Sequence, residues 1–338
     1  MRAAKPTILQ IIPKLEAGGA ELAVVDMAEA ITKAGGRALV LAEPGRMKAR
    51  VEAAGGEVID FPAATKNPIR LLANAGAIAR LATQEKVALI HARSRAPAWS
   101  ALMAARRAKV PFVTTYHGAY SEKTSAKRTY NSVMARGDVT IANSSYTARL
   151  IKERYGTPEQ RLVVIHRGVD PRVFDPARIS AEKIRALRLG WNIAPDQKIV
   201  LQAARLTGWK GQRVLIDAVA SLQGAGHLRN VAVVLAGDAQ GRSGYEASLR
   251  AQIAEAGLED IVHIVGHVED IAAAFLAAHV TVVPSTEPEA FGRSVIEAAA
   301  MGSPVIASDI GAPPETIQTD VPKSASNTIK PEARAVLS

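Results

Sequence analysis

The stretch VTVVPSTEPEAFGRSVIEAAAMGSPVIAS, residues 280–308, reads as one complete strand–loop–helix–strand unit. β-branched residues run to Ser285, and a loop of Pro, Glu and Gly follows. A helix is predicted from about Arg293 to Met301, and Gly302 stops it ahead of a second strand at 304–308. Glu289 then lies in the loop and Glu297 in the helix. Eight positions of pure helix would turn the second carboxylate about 80° from the first and carry it ~12 Å along the axis. The pair is therefore no same-face dyad, and it suits different parts of one long ligand. The backbone N–H groups of Phe291, Gly292 and Arg293 stand at the helix start, where orphan donors and the helix dipole favour anionic or hydroxyl-rich groups. Gly292 permits close approach. An ordinary acidic loop followed by a helix-surface glutamate fits the same spacing.

Short β-branched runs alternate with longer Ala/Leu/Arg segments through the rest of the chain, the pattern of parallel sheets wrapped by helices. Strands are predicted at 7–13, 37–43, 87–92, 111–117, 138–143 and 161–166, and again at 199–204, 231–237, 261–266, 280–285 and 304–308. RGVDPRVFDPA (167–177) breaks both periodicities and reads as a linker. The expectation is an α/β protein of two Rossmann-like parallel-sheet domains, at 1–170 and 171–317, facing each other across a cleft. Ligands in such sheets gather at the carboxyl ends of the strands. Residues 318–338 hold two prolines, a Ser/Asn/Thr cluster and no sustained apolar period, and are expected to form a loosely ordered tail.

Composition narrows the function. A length of 338 residues suits two domains, and the absence of cysteine removes disulfides, thiolate metal sites and cysteine nucleophiles. No apolar run approaches the ~18 residues that span a bilayer, and a cytoplasmic location is expected. There is no G-x-G-x-x-G after the first strand, no G-x-x-x-x-G-K-[ST], no H-E-x-x-H and no Asp-x-Asp, which lowers the case for NAD enzymes, P-loop NTPases, zinc hydrolases and metal-chelating transferases. The charge of +10 is uneven: residues 1–170 carry 26 Lys and Arg against 14 Asp and Glu, whereas residues 171–338 carry 16 against 18. The basic half is the one expected to meet a polyanion. With 4% aromatics and no zinc-finger spacing, nucleic acid is not the expected partner. SRAPAWSALMAARRAKVPF (94–112) joins Trp99, Leu102 and Met103 to Arg106, Arg107 and Lys109, and the basic segment 120–137 follows. This pattern suits an anionic membrane face.

In AARLTGWKGQRVLIDAV (203–219), Arg205 ends a strand, a Gly-containing turn carries Lys210, and a helix starts after Gly211. An Arg and a Lys beside a helix start can cradle a diphosphate, although a solvated basic loop has the same composition. Gly18 and Gly19, after the first strand, admit a phosphate or a sugar as readily as they serve helix entry. His117, in TTYHG (114–118), stands at another strand end, where functional and structural roles are equally open.

In this order the pieces resemble the retaining family 4 glycosyltransferases of the two-domain GT-B fold, over about residues 7–317. The most specific are EAFGRSVIE, which matches the family's E-x7-E motif, and Arg205 with Lys210 in RLTGWKG. GGAE (18–21), TYHG (115–118), IANS (141–144), IHRGVD (165–170), LAGD (235–238), VGHVED (265–270) and IGAPPET (310–316) support them. The resemblance implies a sugar-nucleotide donor whose ribose is held by Glu297 and whose sugar is held by Glu289, with help from the Phe291, Gly292 and Arg293 amides. It also implies a diphosphate bound by Arg205 and Lys210, His117 near the reacting sugar, Gly18 and Gly19 near the diphosphate, and Gly266, His267 and Val268 near the base. It implies no metal, no other cofactor, and a glycan or lipid-linked acceptor of cell-envelope or lipopolysaccharide type. A sugar-nucleotide epimerase or phosphorylase of the same fold, a glycosidase using the two glutamates, and a non-catalytic sugar-nucleotide-binding protein remain the alternatives. Members of the family usually continue past GAPPETI with a further strand and helices. The different terminus here leads to an expectation of weak or absent activity.

Overall fold

The computed structural model describes residues 5–317, apart from 17, 66, 119, 121, 123 and 242, together with 328 and 329. The chain divides into two compact units, Met1–His166 and Arg167–Ser338. The expected tail at 318–338 lies outside the described residues except for Thr328–Ile329.

The first unit runs β1 (Thr7–Lys14), α1 (Gly19–Lys33), β2 (Arg37–Glu43), α2 (Lys48–Ala53), β3 (Glu57–Asp60), α3 (Pro68–Gln84), β4 (Val87–Ala92), α4 (Arg95–Ala108), β5 (Phe112–Tyr116), α5 (Ser125–Asn131), β6 (Val139–Ala142), α6 (Ser145–Tyr155) and β7 (Leu162–Val164). Its seven strands pair in parallel in the order β3-β2-β1-β4-β5-β6-β7. Burial on both faces explains the nearly continuous apolar strands, such as Ala38–Ala42 of β2, each at most 1% exposed. Small side chains let α4 approach the sheet closely, since Ala98, Ala101, Ala104 and Ala105 are fully buried. Asn67 caps α3 by accepting from the Ile69 and Arg70 amides, and Ser144 caps α6 by accepting from the Thr147 amide. β3 is absent from the sequence expectation. It is a short edge strand with exposed acidic ends, Glu57 and Asp60, so it lacks the apolar run that marks the others, and its Glu57 carboxylate is gripped by Arg37.

The second unit runs α7 (Ala181–Gly190), β8 (Lys198–Ala203), α8 (Gln212–Gly224), β9 (Val231–Ala236), α9 (Ser243–Glu255), β10 (Val262–Gly266), α10 (Ile271–Ala277), β11 (Val280–Val283), α11 (Arg293–Ala300), β12 (Val305–Ser308), α12 (Pro313–Thr316) and β13 (Thr328–Ile329). The sheet is again parallel, in the order β10-β9-β8-β11-β12-β13. In both units the winding reverses beside the first strand, between β1 and β4 and between β8 and β11. Loops leaving the carboxyl ends of such a strand pair diverge to opposite faces and open a crevice.

Gly211 closes the turn between β8 and α8 with φ +75°, and a Cβ there would overlap the Pro284 carbonyl just beyond β11. The contact ties together the two loops that flank the crevice. Gly257 has φ +63° but faces open space. Gly257→Ala should therefore cost only the ~1–2 kcal/mol of a left-handed alanine, and Gly211→Ala should lower the urea midpoint by considerably more. Equal midpoints in the two variants would show that the backbone contact is no constraint.

Candidate functional site

The loop after β8 is held by two buried glutamines. Gln202, 2% exposed, donates from Nε2 to the Lys210 carbonyl at 2.7 Å, and Gln212 donates from Nε2 to the Arg205 carbonyl at 3.0 Å. Leu206 is fully buried and its amide bonds the Asp238 carbonyl, so the chain is anchored between its two cationic residues. Arg205 itself is exposed, with Nη1 3.3 Å from Gln240 Oε1. Lys210 ends a short 3-10 turn, Gly208–Lys210, and its ammonium lies 4.4 Å from the Trp209 ring centroid, a cation–π contact.

The loop after β11 brings the partner. Lys210 Nζ meets Glu289 Oε1 at 2.7 Å, with the two side chains 15% and 8% exposed. The Ser285 hydroxyl donates to the same oxygen. The backbone locks this loop from two sides. Glu289 forms a parallel bridge with Gly311 and accepts from the Ala312 amide at 2.9 Å, and the Thr286 amide donates to the Trp209 carbonyl at 2.8 Å. An ammonium has three protons, so Lys210 keeps donor capacity after bonding Glu289.

α11 follows with Gly292 as its N-cap at φ +81°, and Phe291 is 4% exposed. Glu297 lies on α11 and accepts from Arg293 Nε at 3.0 Å, one turn earlier. The two glutamates thus have different partners, Lys210 for one and Arg293 for the other. Gly266 closes β10 at φ +71°, His267 is exposed, and Val268 packs on the core of the unit. Arg205, Lys210, Glu289, Glu297 and Gly266–Val268 all belong to segments at the carboxyl end of one sheet.

In the first unit, Gly18 and Gly19 lead from β1 into α1. Gly18 is extended, and a Cβ there would meet only the mobile carboxylate of Glu21. His117 follows β5 and is half-buried. Beneath it lies a buried polar row that the sequence reading did not select. His91 Nε2 is 2.7 Å from Thr115 Oγ1, and Arg93 reaches Gln10 Oε1 with Nε at 3.1 Å and Nη2 at 2.8 Å. Burial, then the charges of Arg93 and His117, push the His91 pKa well below its ordinary value and keep the ring neutral. Gln202 and Ser285 were missed as well. One signal was available: each unit's first strand carries a glutamine inside its apolar run, in TILQIIP and in IVLQAA.

The membrane-facing reading of 94–112 changes. Trp99 packs on the core, donates Nε1–H to the Tyr130 carbonyl at 3.1 Å and carries Arg136 over its ring. Leu102 also packs on the core, and Arg106 forms a two-bond pair with Asp138. Within 120–137, residues 125–131 form α5. Exposed apolar side chains stand instead at the start of α3, where Ile69 is 78% and Leu72 64% exposed. Among the described residues no helix is long and apolar enough to cross a membrane, and no cluster of three or more His, Asp or Glu could hold a metal ion.

Two family models divide the chain between them. Glycosyltransferase Family 4 matches residues 17–173, and Glycosyl transferases group 1 matches residues 184–333. A D-inositol 3-phosphate glycosyltransferase of Jonesia denitrificans is 28% identical over 254 residues, covering 69% of this chain and 57% of the relative. One from Nocardiopsis dassonvillei is 31% identical over 240 residues, covering 66% and 54%. The chain spans about half the length of these curated relatives. Among solved structures, a glycosyltransferase from Rickettsia africae is similar with a TM-score of 0.85 and 33% identity, covering 93% of this chain and 82% of that one. Anabaena HepE in complex with UDP-glucose is similar with a TM-score of 0.79 and 29% identity, covering 93% and 83%. With both halves matched in order and each folded as a parallel-sheet α/β unit, the chain belongs to the glycosyltransferases of family 4 and group 1, on the GT-B fold.

Proposed function

We propose that this protein transfers a sugar from a nucleoside-diphosphate sugar to a glycan or lipid-linked acceptor of the cell envelope, with retention and without a metal ion, at the inner face of a membrane. The observation that carries the reading is the Lys210–Glu289 pair at the reversal point of the second sheet, beside Arg205 and the amino end of α11. The complex of Anabaena HepE makes UDP-glucose the first donor to try. Arg205 and Lys210 take the diphosphate, Glu289 the hydroxyls of the sugar and Glu297 those of the ribose, with Gly266, His267 and Val268 against the base. Phe291, Gly292 and Arg293 offer their amides to the sugar. Gly18 and Gly19 are assigned to the diphosphate and His117 to the reacting sugar, as the family resemblance implies. The bond from the sugar's anomeric carbon to the diphosphate breaks, and its electron pair stays on the diphosphate, where the two cations stabilise it. The acceptor hydroxyl attacks from the same face and loses its proton to a donor phosphate oxygen.

A thermal-shift panel of UDP-, GDP-, ADP- and dTDP-sugars tests the donor. One member at 100 times its Kd should stabilise the protein by ~2.7 kcal/mol, and no response to any of them would end the reading. With that donor, Arg205→Ala and Lys210→Ala should each lower turnover by about 10²–10³. Their stabilities should differ. Arg205 is exposed, whereas Lys210→Ala strands a carboxylate that is 8% exposed, which costs about 3–5 kcal/mol. The double variant with Glu289→Ala should regain stability without regaining activity. Wild-type turnover in either single variant would remove the diphosphate assignment.

The two glutamates should separate kinetically. Glu289→Ala should depress kcat, because the sugar is the group that moves, while Glu297→Ala should raise the donor KM through the ribose. Matching effects on both constants would refute this division.

For the membrane, α3 starts at the carboxyl side of its sheet, whereas Arg106 and Arg107 lie at the far end of α4, ~20 Å along a 14-residue helix. Ile69 and Leu72, with Arg70 between them, are therefore the better anchor. Burying each apolar side chain supplies ~1.5–3 kcal/mol. Ile69→Ser with Leu72→Ser should weaken binding to phosphatidylglycerol vesicles at least tenfold, on the order of 1.4 kcal/mol. Unchanged binding in the double variant, or none by the wild type, would remove this surface.

A further inference from the structure

We infer that Ser285 is a positioning residue for Glu289, and that Ser285 and Lys210 together decide which carboxylate oxygen faces the sugar. The inference rests on the donor-site reading above.

Ser285 is 3% exposed and stands two residues past β11. Its hydroxyl and the Lys210 ammonium both donate to Glu289 Oε1. The other oxygen, Oε2, accepts no hydrogen bond among the described residues. A glutamate's terminal torsion is soft and roughly two-fold, so an unrestrained carboxylate exchanges its oxygens readily. Two donors on one oxygen remove that freedom and leave Oε2 with acceptor capacity for sugar hydroxyls, in charge-assisted bonds.

The two donors are not equivalent. Lys210 serves the carboxylate and, in the donor-site reading, the diphosphate as well, and its long stem lets the ammonium shift between them. Ser285 has one short rotor and lies only four residues before Glu289. The loop they share is tied by the Thr286 amide to Trp209 at one end and by the Glu289 bridge to Gly311 at the other. When a diphosphate draws the ammonium away, Ser285 is the donor that still holds Oε1.

The test measures affinity for UDP-glucose and for UDP separately, by calorimetry, in wild type, Ser285→Ala, Ser285→Thr and Glu289→Gln. The ratio of the two constants isolates the contribution of the sugar. Ser285→Ala should keep the UDP affinity of the wild type while losing about tenfold of the sugar contribution, the size of one charge-assisted hydrogen bond. Ser285→Thr, which retains the hydroxyl, should restore it, and Glu289→Gln should lose at least as much. An undiminished sugar contribution in Ser285→Ala overturns the inference. Equal loss of UDP and UDP-glucose affinity overturns it too, because that marks a general structural role. A wild type that binds UDP but gains nothing from the glucose overturns the assignment of Glu289 itself, and the inference falls with it.

Discussion

A lysine and a glutamate that are almost out of water must meet each other, and much of the second unit is arranged so that they do. Burying either charge alone is costly, and burying the pair is tolerated only where the geometry is good and the remaining polar atoms are served. The Lys210–Glu289 contact satisfies this with help from both sides. Gln202 holds the lysine's carbonyl, Trp209 lies beneath its ammonium, and Ser285 shares the glutamate oxygen. Gly211 has to be glycine for the lysine's loop to lie against Pro284, and Gly311 lies against the Glu289 backbone. These interactions link segments that are 79 positions apart in the chain.

Such an arrangement is what a parallel doubly wound sheet makes available. β8 and β11 are neighbours at the point where the strand order reverses, so the loops leaving them stand side by side and can bring Lys210 to Glu289. The first unit has the same topology, and its equivalent strands β1 and β4 carry Gln10 and His91, with Arg93 just past β4, all buried and joined to one another or to β5. Both units place buried amides and charges at the reversal point.

Charge and apolar surface are divided differently. The excess of Lys and Arg lies in the first half, yet several of these residues are already paired, Arg37 with Glu57 and Glu85, and Arg106 with Asp138. Exposed pairs of this kind add little to stability and are screened by salt, but they show that a count of basic residues overstates the cations open to a partner. Trp99 makes a similar point for apolar residues. Beside a basic run it suggested a membrane anchor, whereas its indole is satisfied by the Tyr130 carbonyl and its ring is packed. Among the apolar residues that do reach solvent, Ile69 and Leu72 stand together at the start of α3.

The sequence alone determined the alternation of strands and helices, the repetition of the scheme in two halves, and the positions of Arg205, Lys210, Glu289 and Glu297 at strand ends and helix starts. These follow from local chemistry: β-branched runs, helical spacing, and glycines that stop or start an element. It missed β3, whose exposed acidic ends hide a strand held by pairing with β2. It put Glu289 in a loop and Glu297 in a helix, too far apart for a same-face dyad, but did not show the partner of either. The tertiary structure gave Lys210 to one and Arg293 to the other, and only it revealed that Ser285 and Gln202 brace the Lys210–Glu289 pair and that Gln10, His91 and Arg93 form a buried polar row. The reason is physical. A hydrogen bond between residues far apart in the chain leaves no periodicity or spacing behind, and a buried serine or glutamine looks like any other until the fold shows which charge it holds.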